Sequence, residues 1–230
     1  MRRQQQQSFP LKIGYYQSRF HQPGMKKIFS GELIFDWKIV TITVASTLLL
    51  IIDRVTAFTA SKQLDRTILY LILPLLVILL VFRENPRDYG FQLGDWRAGL
   101  ALTGLSLAIM LPLLWLFVRA DPAMRAYYHS FMGPQFPLSM FFELLSWEFL
   151  FRGWLTFAYV RKFGAEGLWL QAVPFAIAHL GKPAWETLST IFGGFAFGWI
   201  AWRTRSFLYP FLIHWVIYMF VVLVSGGLLG

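Results

Sequence analysis

The sequence predicts an all-α protein, a polytopic integral membrane bundle of about seven transmembrane helices. Of its 230 residues, 57% are hydrophobic and only 14% are charged, whereas soluble domains carry about 25% charged residues. Apolar runs, some of them short for a membrane span, recur along the chain, and charged or turn residues separate them. No internal repeat is apparent, so we expect a single membrane domain over residues 39–230.

Each predicted element corresponds to one apolar run. The predicted spans cover residues 39–52, 67–82, 98–118, 137–160, 167–183, 187–202 and 206–229. In the sixth span, Gly194 and Gly198 have the GxxxG spacing that lets two helix backbones approach closely. We therefore expect a close helix pair at this point.

Residues 1–38 are polar and basic, and they lack the apolar stretch of a cleaved signal peptide. We interpret them as a flexible tail, and Met25 is an alternative start of the natural chain. If the helices alternate in direction, most Lys and Arg residues fall on the side that holds this tail, which predicts a cytoplasmic N-terminus and an external C-terminus. The short, loop-poor chain indicates a bacterial cytoplasmic membrane.

The composition also excludes several classes of function. Without cysteine, the chain has no disulfide, thiolate metal site or cysteine nucleophile. The net charge is +9. Its basic residues lie between the apolar runs rather than along one polar face, which favours binding to anionic lipid headgroups over binding to nucleic acid. We expect two kinds of partner: membrane lipids, and a peptide or protein substrate at the membrane, which could carry a lipid group.

Placing an ionisable side chain inside a membrane span costs free energy, so we expect such residues to pair in the bundle interior or to line a water-filled cavity. In the segment LLSWEFLFRGWL, Glu148 and Arg152 are four residues apart and therefore lie one turn apart on one helix face. His179 lies near the end of the fifth span and His214 lies inside the seventh. At about 1.5 Å per residue, Glu148, His179 and His214 reach similar depths and are predicted to converge.

An acid and two imidazoles in a water-poor cavity are suited to acid–base catalysis. The carboxylate can take a proton from water, one imidazole can share it, and the other can stabilise the developing oxyanion. Each residue also has a plain structural interpretation, as an ion pair within one helix or as a histidine that hydrogen-bonds between packed helices. Convergence of all three favours catalysis.

The same residues resemble the motifs of a known family. WEFLFRG (147–153), FAIAH (175–179) and RTRSFLYPFLIHWVIY (203–218) are similar, in order and spacing, to the three motifs of the CAAX protease and bacteriocin-processing enzyme family, also called CPBP or Abi. FRENPRDYGFQLGDWRAGL (82–100) resembles the segment that precedes the family core. The resemblance covers about residues 82–218. It implies an all-helical intramembrane peptidase, related to type II CAAX prenyl endopeptidases, that cleaves prenylated proteins or peptide precursors or acts in bacteriocin immunity.

Carried over by position, the motif EExxxR falls on Trp147, Glu148 and Arg152, FxxxH on Phe175 and His179, and HxxxN on His214 and Tyr218. Two positions depart from the family pattern. Trp147 replaces the glutamate to which the resemblance assigns water activation, and Tyr218 replaces the asparagine that helps to hold the oxyanion. Because Trp147 cannot accept a proton, Glu148 is the predicted base, and Glu143, one turn before Trp147, is a weaker substitute. Tyr218 keeps a donor hydroxyl.

We therefore predict a peptidase that uses activated water on a prenylated, leader-bearing or C-terminally tagged membrane substrate. Its predicted catalytic residues are Glu148, His179 and His214, with Arg152, Tyr218 and Glu143 in support. In this prediction His179 shares the water with Glu148, and His214 is the oxyanion partner. The catalytic set could also hold zinc, but no HExxH spacing is present, so metal-free and cofactor-free chemistry is favoured. The alternative is a family member with impaired catalysis that acts as a membrane binding, immunity or scaffold protein.

Overall fold

The structure is a computed structural model, and it describes residues 33–133 and 136–229. The chain divides into two units, Met1–Phe35 and Asp36–Gly230. Residues 1–32 of the predicted tail, and with them the alternative start at Met25, lie outside the described residues. The described part of the second unit is helical and contains no strand, which confirms the all-α fold class.

The helices follow one another along the chain, most of them through short connections. In chain order they are α1 (Trp37–Val55), α2 (Lys62–Phe82), α3 (Trp96–Ala120), α4 (Pro122–His129), α5 (139–163), α6 (Gly167–Ala178), α7 (Ala184–Thr204) and α8 (Leu208–Ser225), with 3₁₀ turns at Pro86–Tyr89 and Gly164–Glu166. Helix α5 consists of α-helical Ser139–Glu148 and Thr156–Phe163, joined by the π-helical segment Phe149–Leu155. Short connections between successive long helices make neighbours antiparallel.

Within the described residues, α2, α3 and α8 are long and apolar enough to cross a membrane. Helix α5 falls outside this group although it lies at the centre of the bundle, because Glu143, Glu148 and Arg152 interrupt its apolar sequence. Every side chain from residue 146 to residue 159 of α5 is buried. The helical membrane bundle is thus confirmed, while the number of seven spans stays a prediction.

Helices α6 and α7 pack closely because two glycines of α7 face α6. A Cβ atom at Gly194 would lie 2.9 Å from Cβ of Ala172, and one at Gly198 would lie 2.5 Å from Nε2 of Gln171. Gln171 is fully buried, and its Nε2 donates to the carbonyl of Gly194 at 2.7 Å. The close approach predicted from the GxxxG spacing is confirmed, and it fixes the helix that ends just before His179.

Replacing Gly198 by alanine should lower the free energy of unfolding by about 1–3 kcal/mol, since the new methyl group would displace the buried, hydrogen-bonded amide of Gln171. Unfolding of the purified protein in detergent measures this. Gly193→Ala is a matched control, because no atom lies within 4 Å of its added Cβ and alanine favours a helix by up to about 1 kcal/mol over glycine. Equal stability of the two variants would contradict the packing described here.

Ion pairs tie the helices together at the end of the bundle where α1 begins, which we call the proximal end. These pairs are Lys38–Glu84, Lys162–Asp36 at 3.0 Å and Arg203–Asp95 at 2.9 Å. Asp95 also caps α3, since its side chain accepts from the backbone N–H of Ala98 at 3.1 Å. That N–H and the Arg203 guanidinium hold the pKa of the Asp95 carboxyl below its ordinary value.

A second set of polar contacts lies at the opposite end, which we call the distal end. Asp53, near the end of α1, pairs with Lys62 at 2.9 Å and with Arg66 at 3.2 Å, both from the start of α2. Arg66 also pairs with Glu143 near the start of α5. These contacts join three helices at the end of the bundle where the internal cavity described below is found.

Candidate active site

Helix α5 places an ion pair in the centre of the bundle. The side chains of Glu148 and Arg152 are both fully buried, and Arg152 Nε lies 3.3 Å from Glu148 Oε2, as the four-residue spacing predicts. The guanidinium carbon of Arg152 lies 3.8 Å from the centroid of the Phe175 ring and 5.4 Å from that of Phe197. The cation is therefore stabilised by one carboxylate and by aromatic faces.

His214 of α8 forms a hydrogen bond with the carboxylate of this ion pair. Its Nδ1 lies 2.7 Å from Glu148 Oε1. Because an ionised carboxylate can only accept, Nδ1 carries the proton and donates it, and a neutral His214 then has its lone pair on Nε2. The carboxylate thus fixes both the tautomer and the orientation of the imidazole.

His179 directly follows α6 and is held in a similar way by the backbone. Its Nδ1 lies 2.8 Å from the carbonyl oxygen of Phe175, which can only accept, so a neutral His179 also has its lone pair on Nε2. Its ring packs against Phe175, with 4.4 Å between centroids, and edge-to-face against Trp147 at 5.6 Å. These contacts leave the ring little freedom to rotate.

A cavity of about 840 Å³ connects the two histidines. His179 and His214 both line it, and so do three other residues singled out in the sequence, Trp147, Glu143 and Tyr218. Glu148 and Arg152 are not among the lining residues. The structure therefore brings Glu148 and His214 into contact and places His179 on the same cavity, but the Glu148 carboxylate lies behind His214 rather than beside His179.

The other two supporting residues, Glu143 and Tyr218, lie towards the distal end of the cavity. Glu143 is buried and paired with Arg66, whose guanidinium carbon lies 5.5 Å from the ring centroid of Trp147. Tyr218 packs against the rings of Tyr128 and Phe131 at 6.2 and 5.9 Å. Both side chains are thus part of the cavity wall.

Trp147 occupies the position to which the resemblance assigns the water-activating glutamate. It is 8% exposed and packs edge-to-face on Tyr70, with 5.7 Å between the ring centroids, as well as on His179. The wall beside His179 is therefore aromatic where the family pattern has a carboxylate.

Sequence reasoning missed several charged residues of the cavity. Lys182 and Glu186 form an ion pair of 2.9 Å at i,i+4 spacing just after His179, and Tyr128 donates to Glu186 at 2.7 Å. The i,i+4 spacing of Lys182 and Glu186 was a signal that could have found them. No local signal marks Arg66, because its partners Asp53 and Glu143 lie 13 and 77 residues away in the chain.

The alternative zinc site of Glu148, His179 and His214 does not fit the geometry. Among the described residues, no group of three or more His, Asp or Glu side chains is placed to hold a metal ion. One oxygen of Glu148 already accepts from His214 and the other faces Arg152. Metal-free chemistry stays a prediction.

The fold and the site define a helical membrane protein in which two histidines, one of them bonded to a buried carboxylate, line an internal cavity. Residues 129–220, which contain all of these side chains, match the family model described as type II CAAX prenyl endopeptidase Rce1-like. This match confirms the resemblance to the CAAX protease family over the region that holds the site. Searches of curated proteins and of solved structures gave no match.

Proposed function

We propose that the protein hydrolyses a peptide bond of a membrane-associated protein or peptide, with His214 as the general base. The observation that carries this proposal is the 2.7 Å hydrogen bond from His214 Nδ1 to Glu148, combined with the exposure of the same ring to the cavity. A buried carboxylate in this position holds the imidazole in the productive tautomer and stabilises the imidazolium that forms during proton transfer.

The reaction then needs one water molecule and the two imidazoles. His214 Nε2 takes one proton from the water as the water oxygen attacks the peptide carbonyl carbon. His179 Nε2 accepts a hydrogen bond from the second O–H, which stays on the attacking oxygen, and so orients the water. The Tyr218 hydroxyl is the proposed donor to the oxyanion. As the C–N bond breaks, the His214 imidazolium returns its proton to the leaving amine.

In this scheme Glu148 is not the group that meets the water, in contrast to the role predicted from the sequence. Its carboxylate has Arg152 at 3.3 Å as its counter-ion and acts through His214. Glu143 is a poor substitute base, because its buried carboxylate is already paired with Arg66.

The substrate class follows from the rest of the cavity wall. Leu113 and Phe117 of α3 and Phe192 and Ala196 of α7 line the cavity away from the histidines. Such a surface suits an apolar peptide segment or an attached lipid chain. We propose a membrane-bound substrate with a prenyl group or with an apolar leader or C-terminal tag.

The test compares cells that express the wild type with cells that express the double variant His179→Ala/His214→Asn. Mass spectrometry of the N-terminal and C-terminal peptides of the membrane fraction should show cleavage products with the wild type that are absent with the double variant at equal abundance. His129→Asn is the matched control, because His129 lies at the end of α4 and is not a cavity residue. Identical sets of termini in all three samples would contradict hydrolysis.

A second candidate function, binding without cleavage, is favoured by Trp147, whose indole packs against His179 where the family pattern has a carboxylate. This function predicts that membrane peptides co-purify, uncleaved and in equal amounts, with the wild type and with the double variant. Peptides that are intact with the double variant and cut with the wild type would exclude it.

A further inference from the structure

We infer that the cavity opens on the side of the membrane away from the cytoplasm, so that the bond to be cut is presented from outside. The orientation of the cavity is independent of catalysis, and only the substrate class named below rests on the proposed function.

The cavity belongs to the distal end. Among the residues that line it are Arg54 at the end of α1, Arg66 at the start of α2, Asp121 just after α3, and Lys182 and Glu186 around the start of α7. None of the residues in the three proximal ion pairs lines it. A peptide that enters the cavity from water therefore enters at the end opposite to that at which α1 begins.

The positive charges are distributed unequally between the two ends. The described proximal end carries Lys38, Arg83, Arg87, Arg97, Arg161, Lys162, Arg203 and Arg205, and the sequence that leads into it adds Arg2, Arg3, Lys12, Arg19, Lys26 and Lys27. The distal end carries Arg54, Lys62, Arg66, Arg119, Arg125 and Lys182. Because Lys and Arg near the ends of spans accumulate on the cytoplasmic side, the proximal end is cytoplasmic and the distal end faces outward.

An outward-opening cavity restricts the substrate class. It favours the extracytoplasmic segments of exported precursors or of membrane-anchored proteins, and it disfavours the lipidated C-terminal tails of proteins that stay in the cytoplasm. We therefore expect this protein's substrate on the outer side of the membrane, although the family name refers to prenylated C-terminal tails.

Cysteine labelling tests the orientation directly, because the chain contains no native cysteine. Ala57 lies in the distal connection between α1 and α2, Ala165 lies in the proximal turn between α5 and α6, and both are exposed. A membrane-impermeant maleimide applied to intact spheroplasts should label the Ala57→Cys variant. The matched Ala165→Cys variant should be labelled only after permeabilisation.

Labelling of Ala165→Cys in intact spheroplasts, or failure of Ala57→Cys to react until permeabilisation, would overturn the inference. Both variants should react fully in detergent, which shows that each thiol is accessible. The readout does not depend on catalysis, and it can be repeated in the His214→Asn background. A cavity found to face the cytoplasm would therefore overturn the orientation and leave the proposed hydrolysis intact.

Discussion

Replacing His214 by asparagine should lower the rate of peptide hydrolysis by about 10² to 10⁴-fold, the usual contribution of a general base. The asparagine amide can still donate to Glu148 from the position of His214 Nδ1, so the buried carboxylate keeps a partner. What is lost is Nε2, the ring nitrogen available to water in the cavity. Single-turnover rates of the purified protein on a synthetic peptide that spans the identified cleavage site measure the effect.

His129→Asn makes the same chemical change outside the cavity and should leave the rate unchanged. A His214→Asn variant that folds normally and cleaves within about threefold of the wild type would show that His214 is not the base. A low rate accompanied by a loss of thermal stability would instead assign His214 a role in packing α8 against α5.

Replacing Glu148 by glutamine should destabilise the protein by roughly 3–5 kcal/mol, because it leaves the fully buried Arg152 without its counter-ion. Glutamine nearly matches glutamate in size, so the packing around it changes little. The double variant Glu148→Gln/Arg152→Met should recover most of the lost stability, since replacing a buried ion pair by groups of similar volume is often neutral or stabilising.

The same double variant should remain inactive, because a neutral amide cannot stabilise the His214 imidazolium. Unfolding in detergent and cleavage rates, measured on the same preparations, separate the two roles of Glu148. A single variant as stable as the wild type would contradict the buried pair. A double variant with restored cleavage would show that the carboxylate has no part in catalysis.

The pairing of Glu148 with Arg152 could be predicted from the sequence because the periodicity of a helix alone brings positions four residues apart to one face. Placing His179 and His214 in one layer with Glu148 needed only their depths along the predicted spans, and both histidines do line one cavity. The close approach at Gly194 and Gly198 followed from the absence of side chains at these positions. In each case local spacing determined the result.

The position of Glu148 behind His214 could not be predicted in this way. It depends on how far α5 is rotated relative to α8, and the π-helical segment Phe149–Leu155 changes that rotation because its turns are wider than those of an α-helix. The contacts of Arg66 with Asp53 and Glu143 depend likewise on the packing of α2 against α1 and α5. Such relations between helices leave no periodic trace in a single sequence.

The burial of charge at the centre of α5 has a consequence for how the protein is made. A charged residue at the middle of a span costs about 2.5–3.5 kcal/mol on insertion scales, and α5 is not among the helices that are apolar enough to cross a membrane unaided. We therefore expect α5 to insert against helices already in the bilayer. Since His214 arrives only with α8, a ribosome-bound chain that ends before α8 lacks the proposed base, and we expect it to be inactive until α8 has joined the bundle.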